Sequence, residues 1–146
     1  MTTTVVRDSS ETRFRGTQAA AHPFCYVCSG AHPMGLGLRC VPQPDGSVSA
    51  RFLGTGALEG YPGLLHGGVI AALLDGVMTN CLFAQNHRAL TVELNVRYHA
   101  GVISTEEVWL RAWLQDRGHG LFQMRAELTQ GGALKATATA KFMEPA

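Results

Sequence analysis

Asp75 stands out chemically because it directly follows an apolar segment, Leu64 to Leu74, that only His66 and two glycines interrupt. A carboxylate in an apolar helix costs several kcal/mol of free energy unless it is paired or protonated. One interpretation is an aspartate that points at solvent or bonds Thr79 one turn later. The other is a general base or nucleophile in a dry site, where burial raises the basicity of the carboxylate.

Two glycines, Gly67 and Gly68, stand at the beginning of the same segment. At a helix start their N–H groups have no intrahelical acceptor and lie at the positive end of the helix dipole, and no side chain blocks a ligand. Such an end can stabilise a developing oxyanion. Alternatively, the glycines only allow the helix start to pack closely against a strand.

The spacing of these two features is more informative than either alone. Gly67 and Asp75 are eight residues apart, which corresponds to roughly 12 Å along one helix. One reacting carbonyl cannot contact both ends of that distance. If both groups act on it, they come from two subunits related by a two-fold axis. The spacing therefore predicts a homodimer.

Length and composition limit the class of protein. The chain has 146 residues, 46% of them hydrophobic, which is enough for one domain with its own core. Twelve basic and eleven acidic residues give a net charge of +1 without a run of like charges, so no nucleic acid partner is expected. No secretory segment is found in residues 1–20, and the longest apolar run is shorter than the ~20 residues of a membrane span. We expect a cytoplasmic protein without a membrane partner.

The elements that position these residues follow from periodicity. Residues 1–22 have little pattern and are expected to form a flexible N-terminal arm or a short helix without a core, ahead of one domain over residues 23–146. Apolar alternation in 36–41 and 48–52, separated by Pro, Asp and Gly, predicts a hairpin. Residues 67–83 predict a helix that is apolar nearly all round and must be covered nearly all round.

The last sixty residues show four stretches of period two, at 90–98, 108–114, 122–128 and 134–142. Turn residues join them, and the short connections predict antiparallel pairing. One apolar helix on such a sheet is an α+β two-layer domain. In the first stretch Thr91 alternates with apolar neighbours and therefore falls on the polar face, where a threonine is ordinary.

Two segments carry a resemblance to a known family. The segment GYPGLLHGGVIAALLD, from Gly60 to Asp75, and the segment TVELNVRY, from Thr91 to Tyr98, resemble the hotdog-fold acyl-CoA thioesterases of the phenylacetate-pathway (PaaI-like) type. The resemblance runs from about Cys25 to Phe142. It implies an antiparallel sheet wrapped around a long central apolar helix and hydrolysis of acyl-CoA thioesters. Coenzyme A is then part of the substrate and no cofactor is needed, and the chain would form a homodimer, with a dimer of dimers (homotetramer) as a further step.

The resemblance also implies roles for individual residues. The carboxylate matching Asp75 is the base or nucleophile, and the amide matching Gly67 polarises the thioester carbonyl. The residue matching His66 helps to place that carbonyl, and the hydroxyl matching Thr91 lies near the attacking water.

Two departures bear on activity. Relatives often carry Asn or Gln in the loop before His-Gly-Gly, whereas this loop offers Glu59 and Gly60, and Gly76 stands where an acidic residue is frequent. A non-catalytic acyl-CoA-binding or regulatory hotdog module therefore stays an alternative. A hotdog dehydratase is disfavoured, because it would pair a catalytic histidine with an acid in another motif.

Further residues are candidates for substrate binding. Gly68 and Glu59 flank the helix start, and Thr79, with Asn80, is placed to hold Asp75. The phosphates of coenzyme A call for cations, and the available positive or ionisable side chains are Arg88, Arg117, His119 and Arg125. Solvated surface side chains are the alternative for this last group.

The pair Cys25 and Cys28 is half of a zinc-binding motif. The second half is poor, because His32 lies in a Gly- and Pro-rich loop and Cys40 falls in a predicted strand. We expect no bound metal and reduced thiols.

Overall fold

The computed structural model describes residues 9–145. In chain order its elements are α1 (Ser9–Ala21), β1 (Arg39–Pro42), β2 (Val48–Phe52), a short 3-10 helix (Gly56–Leu58), α2 (Gly67–Ala84), β3 (Leu90–Tyr98), β4 (Val108–Gly118), β5 (Leu121–Gln130) and β6 (Ala133–Met143). The six strands form one antiparallel sheet, and α2 lies against it. The predicted α+β hotdog architecture is confirmed.

The pairing of β3 differs from the prediction. The strand order is β1-β2-β4-β5-β6-β3, so β4, β5 and β6 pair in succession as expected, but β3 pairs with β6 at the sheet edge. Three inter-strand spacings, about 14 Å, separate β3 from β4. The connection over residues 99–107 is long enough to cross the sheet, so it is a crossover and not a tight turn.

Helix α2 is the centre of the core. It is long and apolar enough to span a membrane, but 61% of its residues are buried inside the protein, which is typical of a core helix. The inward face of the sheet packs against it with alternate side chains of every long strand. On β6 they include Ala136, Ala138 and Ala140, whose small side chains let the helix approach the sheet closely.

Helix α1 covers α2 from another side and corrects the expectation of a flexible arm. Phe14 is only 1% exposed. The Gln18 amide donates to Asn80 Oδ1 at 2.7 Å, and the Arg15 guanidinium donates to the Cys40 carbonyl at 2.7 Å. From Ser9 onward the segment is therefore the short helix of the other interpretation, and it does contribute to the core; residues 1–8 of the arm lie outside the described part of the chain.

The loop between α1 and β1 crosses α2 beside Asp75. Backbone hydrogen bonds from Leu36 to Tyr26 and from Leu38 to Val27, both 2.7 Å, hold this loop in shape. A Cβ atom on Gly76 would lie 2.5 Å from Val27 Cγ1, which is too close for two carbon atoms. Packing of the loop thus explains why glycine follows Asp75 in this chain.

The contact between Gly76 and Val27 predicts that Gly76→Ala changes the free energy of unfolding in opposite directions with and without the Val27 side chain. Alanine favours a helix interior over glycine by about 1 kcal/mol, but overpacking costs about 1–3 kcal/mol. We expect Gly76→Ala to lower the free energy of unfolding by about 1 kcal/mol in urea denaturation. In a Val27→Ala background the same replacement should raise it. Stabilisation by Gly76→Ala in the unmodified chain would show that the loop yields without cost.

Candidate functional site

The first turn of α2 is organised by His66, the N-cap residue. Its Nδ1 accepts a hydrogen bond from the Gly68 N–H at 2.8 Å, so in the neutral ring the proton is on Nε2. The Gly68 N–H is therefore occupied, which argues against its predicted role in substrate binding. The Gly67 N–H has no acceptor within residues 9–145. Gly67 is thus the free donor at the positive end of the helix.

Tyr98 holds this first turn from β3. Its hydroxyl donates to the Gly67 carbonyl at 2.7 Å. The tyrosine is half exposed and lines, with His66, Gly67 and Ile70, a depression at the start of α2. The sequence does not predict this role for Tyr98, because nothing in the alternation of β3 shows which helix residue its hydroxyl reaches.

Eight residues after Gly67 on α2, the Asp75 side chain forms a hydrogen bond with Thr91. The Thr91 hydroxyl donates to Asp75 Oδ1 at 2.6 Å, and the aspartate is half buried. The predicted contact with Thr79 is different: its hydroxyl donates to the backbone carbonyl of Asp75 at 2.9 Å. Asn80 likewise donates to the Gly76 carbonyl at 2.8 Å. Thr79 and Asn80 therefore support the helix backbone and do not hold the carboxylate.

A β-bulge explains how Thr91 reaches α2. Thr91 lies opposite Phe142 and Glu93 opposite Lys141, so Val92 is an extra residue without a partner on β6. Directly opposite residues share a face of the sheet, and Phe142 is fully buried on the helix side. Strict alternation placed Thr91 on the polar face, and that prediction is wrong because the bulge reverses the alternation at Val92.

Glu59 has a partner that the sequence did not predict. Its carboxylate accepts a hydrogen bond from the hydroxyl of Ser104, which is buried. Its backbone forms an isolated bridge with Leu65, the residue before His66. Glu59 therefore anchors the loop that leads into α2. Its side chain also lines a second depression beside His66 and Gly68.

The predicted coenzyme A cations lie at the other end of α2. Arg88 is exposed and follows the C-terminus of the helix by four residues. The Arg117 guanidinium lies 4.8 Å from the centre of the Phe122 ring, and that ring lies 4.7 Å from His87. His119 is in the tight turn between β4 and β5, with φ of 54°. Within one chain the structure does not bring these residues to Gly67.

Two titratable side chains near α2, those of His22 and Cys28, have shifted pKa values. Burial lowers the pKa of His22, and the negative charge of Asp75 partly opposes that shift. Burial raises the pKa of the Cys28 thiol to about 11. Cys25, Cys28, Cys40 and Cys81 are free cysteines.

Comparison with solved structures places the fold among thioesterases. A phenylacetic acid degradation-related protein from Ralstonia eutropha is 29% identical, with a TM-score of 0.67 over 74% of this chain and 85% of that one. The PaaI protein of the phenylacetic acid degradation operon of Escherichia coli is 14% identical, with a TM-score of 0.78 over 94% and 97%. The resemblance to the phenylacetate-pathway type is thus supported by structure.

Two further solved structures are similar to this chain, and one of them contains a bound ligand. A thioesterase superfamily protein matches with a TM-score of 0.78 and 23% identity over 82% of this chain, which spans only 63% of its length. A Streptococcus mutans protein solved with acetyl-CoA matches with a TM-score of 0.68 and 17% identity, over 74% of this chain and 88% of that one. No curated protein gives a significant match.

The family model described as thioesterase superfamily matches residues 62–137. This is more than half of the 146 residues, and it contains α2, β3 and the residues that meet at Asp75 and Gly67. The chain therefore belongs to the thioesterase superfamily.

Proposed function

We propose that this protein is an acyl-CoA thioesterase, in which water and an acyl-CoA give a carboxylic acid and free coenzyme A. The observation that carries the proposal is the hydrogen bond from Thr91 to Asp75, 2.6 Å long, on a helix whose first N–H group is free. Family membership and the acetyl-CoA held by the Streptococcus mutans neighbour support this choice of substrate class.

The residues divide the chemistry between them. Thr91 fixes Oδ1 of Asp75, which leaves Oδ2 to take a proton from water or to attack the thioester carbon directly. The Gly67 N–H donates to the carbonyl oxygen as negative charge grows on it, and the helix dipole adds to this stabilisation. His66 and Tyr98 hold the turn that aims the N–H group. Label in Asp75 after single-turnover hydrolysis in isotopically labelled water would identify a nucleophile, because water that opens the mixed anhydride at the aspartyl carbon leaves its oxygen in the residue, whereas a general base exchanges none.

A complete site requires two chains in this proposal. Gly67 and Asp75 are separated by roughly 12 Å along α2, too far to act on one carbonyl. Strand β3 is a sheet edge with two exposed apolar side chains, Leu90 at 63% and Val92 at 55%. Such an edge is suited to pairing with a second copy about a two-fold axis. The donor of one subunit then serves the carboxylate of the other, and pairing of dimers into tetramers is compatible with this arrangement.

The same arrangement gives the cations a role. Two α2 helices that run antiparallel across a two-fold axis bring the C-terminal end of one toward the start of the other. Arg88, Arg117 and His119 would then flank the composite site and bind coenzyme A phosphates. The enzyme of this proposal acts in the cytoplasm and has no nucleic acid or membrane partner.

One observation favours a second candidate function. Glu59 occupies the loop position where relatives often have Asn or Gln, and its carboxylate is engaged by Ser104. If that amide is indispensable, the protein binds acyl-CoA without hydrolysing it. Release of free thiol over a panel of short, long and aromatic acyl-CoAs distinguishes the two functions, because a binding module releases none.

Replacement of the carboxylate tests the catalytic assignment. Asp75→Asn keeps the shape but removes the base, so we expect turnover in the thiol-release assay to fall by roughly 100-fold or more. Circular dichroism and gel filtration should be unchanged, and Glu106→Gln, at an exposed carboxylate, should be fully active. Normal turnover of Asp75→Asn would remove this residue from the mechanism.

The Thr91 hydroxyl can be removed without changing side-chain size. A hydrogen bond to a charged group contributes about 1.5–3 kcal/mol, so Thr91→Val should lower kcat by about 10-fold to 100-fold, with little change in KM. Thr91→Ser should recover most of the rate, and Thr139→Val, on the outer face of β6, should have none of these effects. Equal losses for the serine and valine variants would show that the hydroxyl is not what matters.

A mixing experiment tests the shared site. Gly67→Pro removes the donor, and the first helical position tolerates proline well. The His66 backbone, with φ of −59° and ψ of 135°, already has the conformation preferred before proline. We expect Gly67→Pro and Asp75→Asn each to be inactive, and mixed dimers to have one intact site. Random exchange should then restore roughly a quarter of the normal activity.

Verified subunit exchange without any recovered activity would place donor and carboxylate in the same chain. Mass spectrometry of differently tagged subunits verifies the exchange. Melting temperatures of the two variants check that neither loss of activity comes from unfolding.

A further inference from the structure

A cluster of metal-binding side chains lies outside the proposed catalytic site. His22, Cys25 and Cys28 each offer one ligand atom, and these atoms all lie within 4.8 Å of one another. The Cys28 sulfur is 3.5 Å from His22 Nδ1. In a tetrahedral zinc site, Zn–S and Zn–N bonds of about 2.3 and 2.0–2.1 Å require an S···N separation of about 3.6 Å. The observed edge is therefore close to that of an occupied site.

The backbone around Cys25 holds its sulfur in place. The Val27 N–H donates to the Cys25 sulfur at 3.3 Å, and the Ser29 N–H donates to the Cys25 carbonyl at 3.0 Å. Such hydrogen bonds orient a ligand atom toward a metal. The Cys25 and Cys28 sulfur atoms lie within 4.8 Å of each other, close enough to bind one ion.

The third donor comes from a different element, and its ring is held in place. His22 directly follows α1, and its ring packs edge-on against Phe83 of α2 with centroids 4.9 Å apart. The imidazole that approaches from α1 therefore supplies the third donor that a metal site needs beside the two cysteines.

We propose that His22, Cys25 and Cys28 form a binding site for one divalent zinc ion. One imidazole nitrogen and two thiolates are donors that zinc prefers, whereas calcium and magnesium prefer oxygen. Water or a small external ligand completes the tetrahedron. This proposal replaces the expectation that the chain binds no metal.

The other candidate partners of the two cysteines, His32 and Cys40, lie elsewhere. The His32 ring stacks on Phe24 with centroids 4.6 Å apart, and Cys40 is fully buried in β1. The spacing His-x-x-Cys-x-x-Cys is present from His22 to Cys28, but no local pattern shows that the residue after α1 approaches the cysteines.

The ion would act as a structural link. It would join the end of α1 to the loop whose Val27 packs on Gly76, and so hold the cover over α2 next to Asp75. Because none of the three ligands is among the residues assigned to hydrolysis, metal binding should stabilise the fold without supplying a catalytic group.

Elemental analysis is the direct test. Protein produced with added zinc and purified under reducing conditions without chelator should carry about one zinc per chain. Cys25→Ser and His22→Gln should lower the zinc content to background, whereas the matched variants Cys40→Ala and His32→Gln should keep it. Cobalt substitution should give thiolate-to-metal charge-transfer absorption that the Cys25→Ser variant lacks.

A thermal measurement on the unmodified chain tests the proposal even if a variant folds poorly. Zinc added to the metal-free chain at about 100 times its Kd should raise the Tm by roughly 5–10 °C, and Cys25→Ser should show no such increase. The proposal is overturned if the reduced, folded chain takes up no zinc, or if Cys25→Ser and Cys40→Ala retain equal amounts. Formation of a Cys25–Cys28 disulfide in a chain that binds no zinc when reduced would also overturn it.

Discussion

The structure depends on the burial of α2, because this helix is so apolar that almost all of its surface must be shielded from water. Of its 18 residues, 11 are buried. The sheet covers one side, and α1 with the loop over residues 22–38 covers another. Asp75 lies between these covers, and its half-buried carboxylate gains a defined position from them. Stability and the placement of the reactive group therefore have the same origin.

Strand β3 joins the fold to the chemistry. It contacts α2 near both ends of the proposed catalytic stretch, through Tyr98 at Gly67 and through Thr91 at Asp75. The same strand is the exposed edge of the sheet. In the proposed mechanism, a strand that holds both reacting groups and also forms the open edge of the sheet would couple assembly to activity without any additional domain.

Much of this fold could be predicted because burial leaves periodic patterns. The hairpin, α2 and the four C-terminal strands follow from such patterns and are found within a few residues of their predicted bounds. Features that depend on single contacts could not be predicted. Phe14 is one aromatic residue in a polar segment, and neither the partner of β3 nor the acceptor of the Gly68 N–H is recorded in any local pattern.

The bulge at Val92 makes the proposed catalytic geometry depend on one irregular point in β3. Regular pleating through Val92, with the same residues, would turn Thr91 away from Asp75, whereas loss of Val92 itself would leave Thr91 opposite Phe142 on the helix side. Whether the Thr91 hydroxyl faces the helix is thus set by the bulge between Thr91 and Leu94 and not by the hydrophobic pattern of the strand. Over that short stretch, sequence comparisons have to count residues, since hydrophobic pattern alone would align the wrong side chain with Thr91.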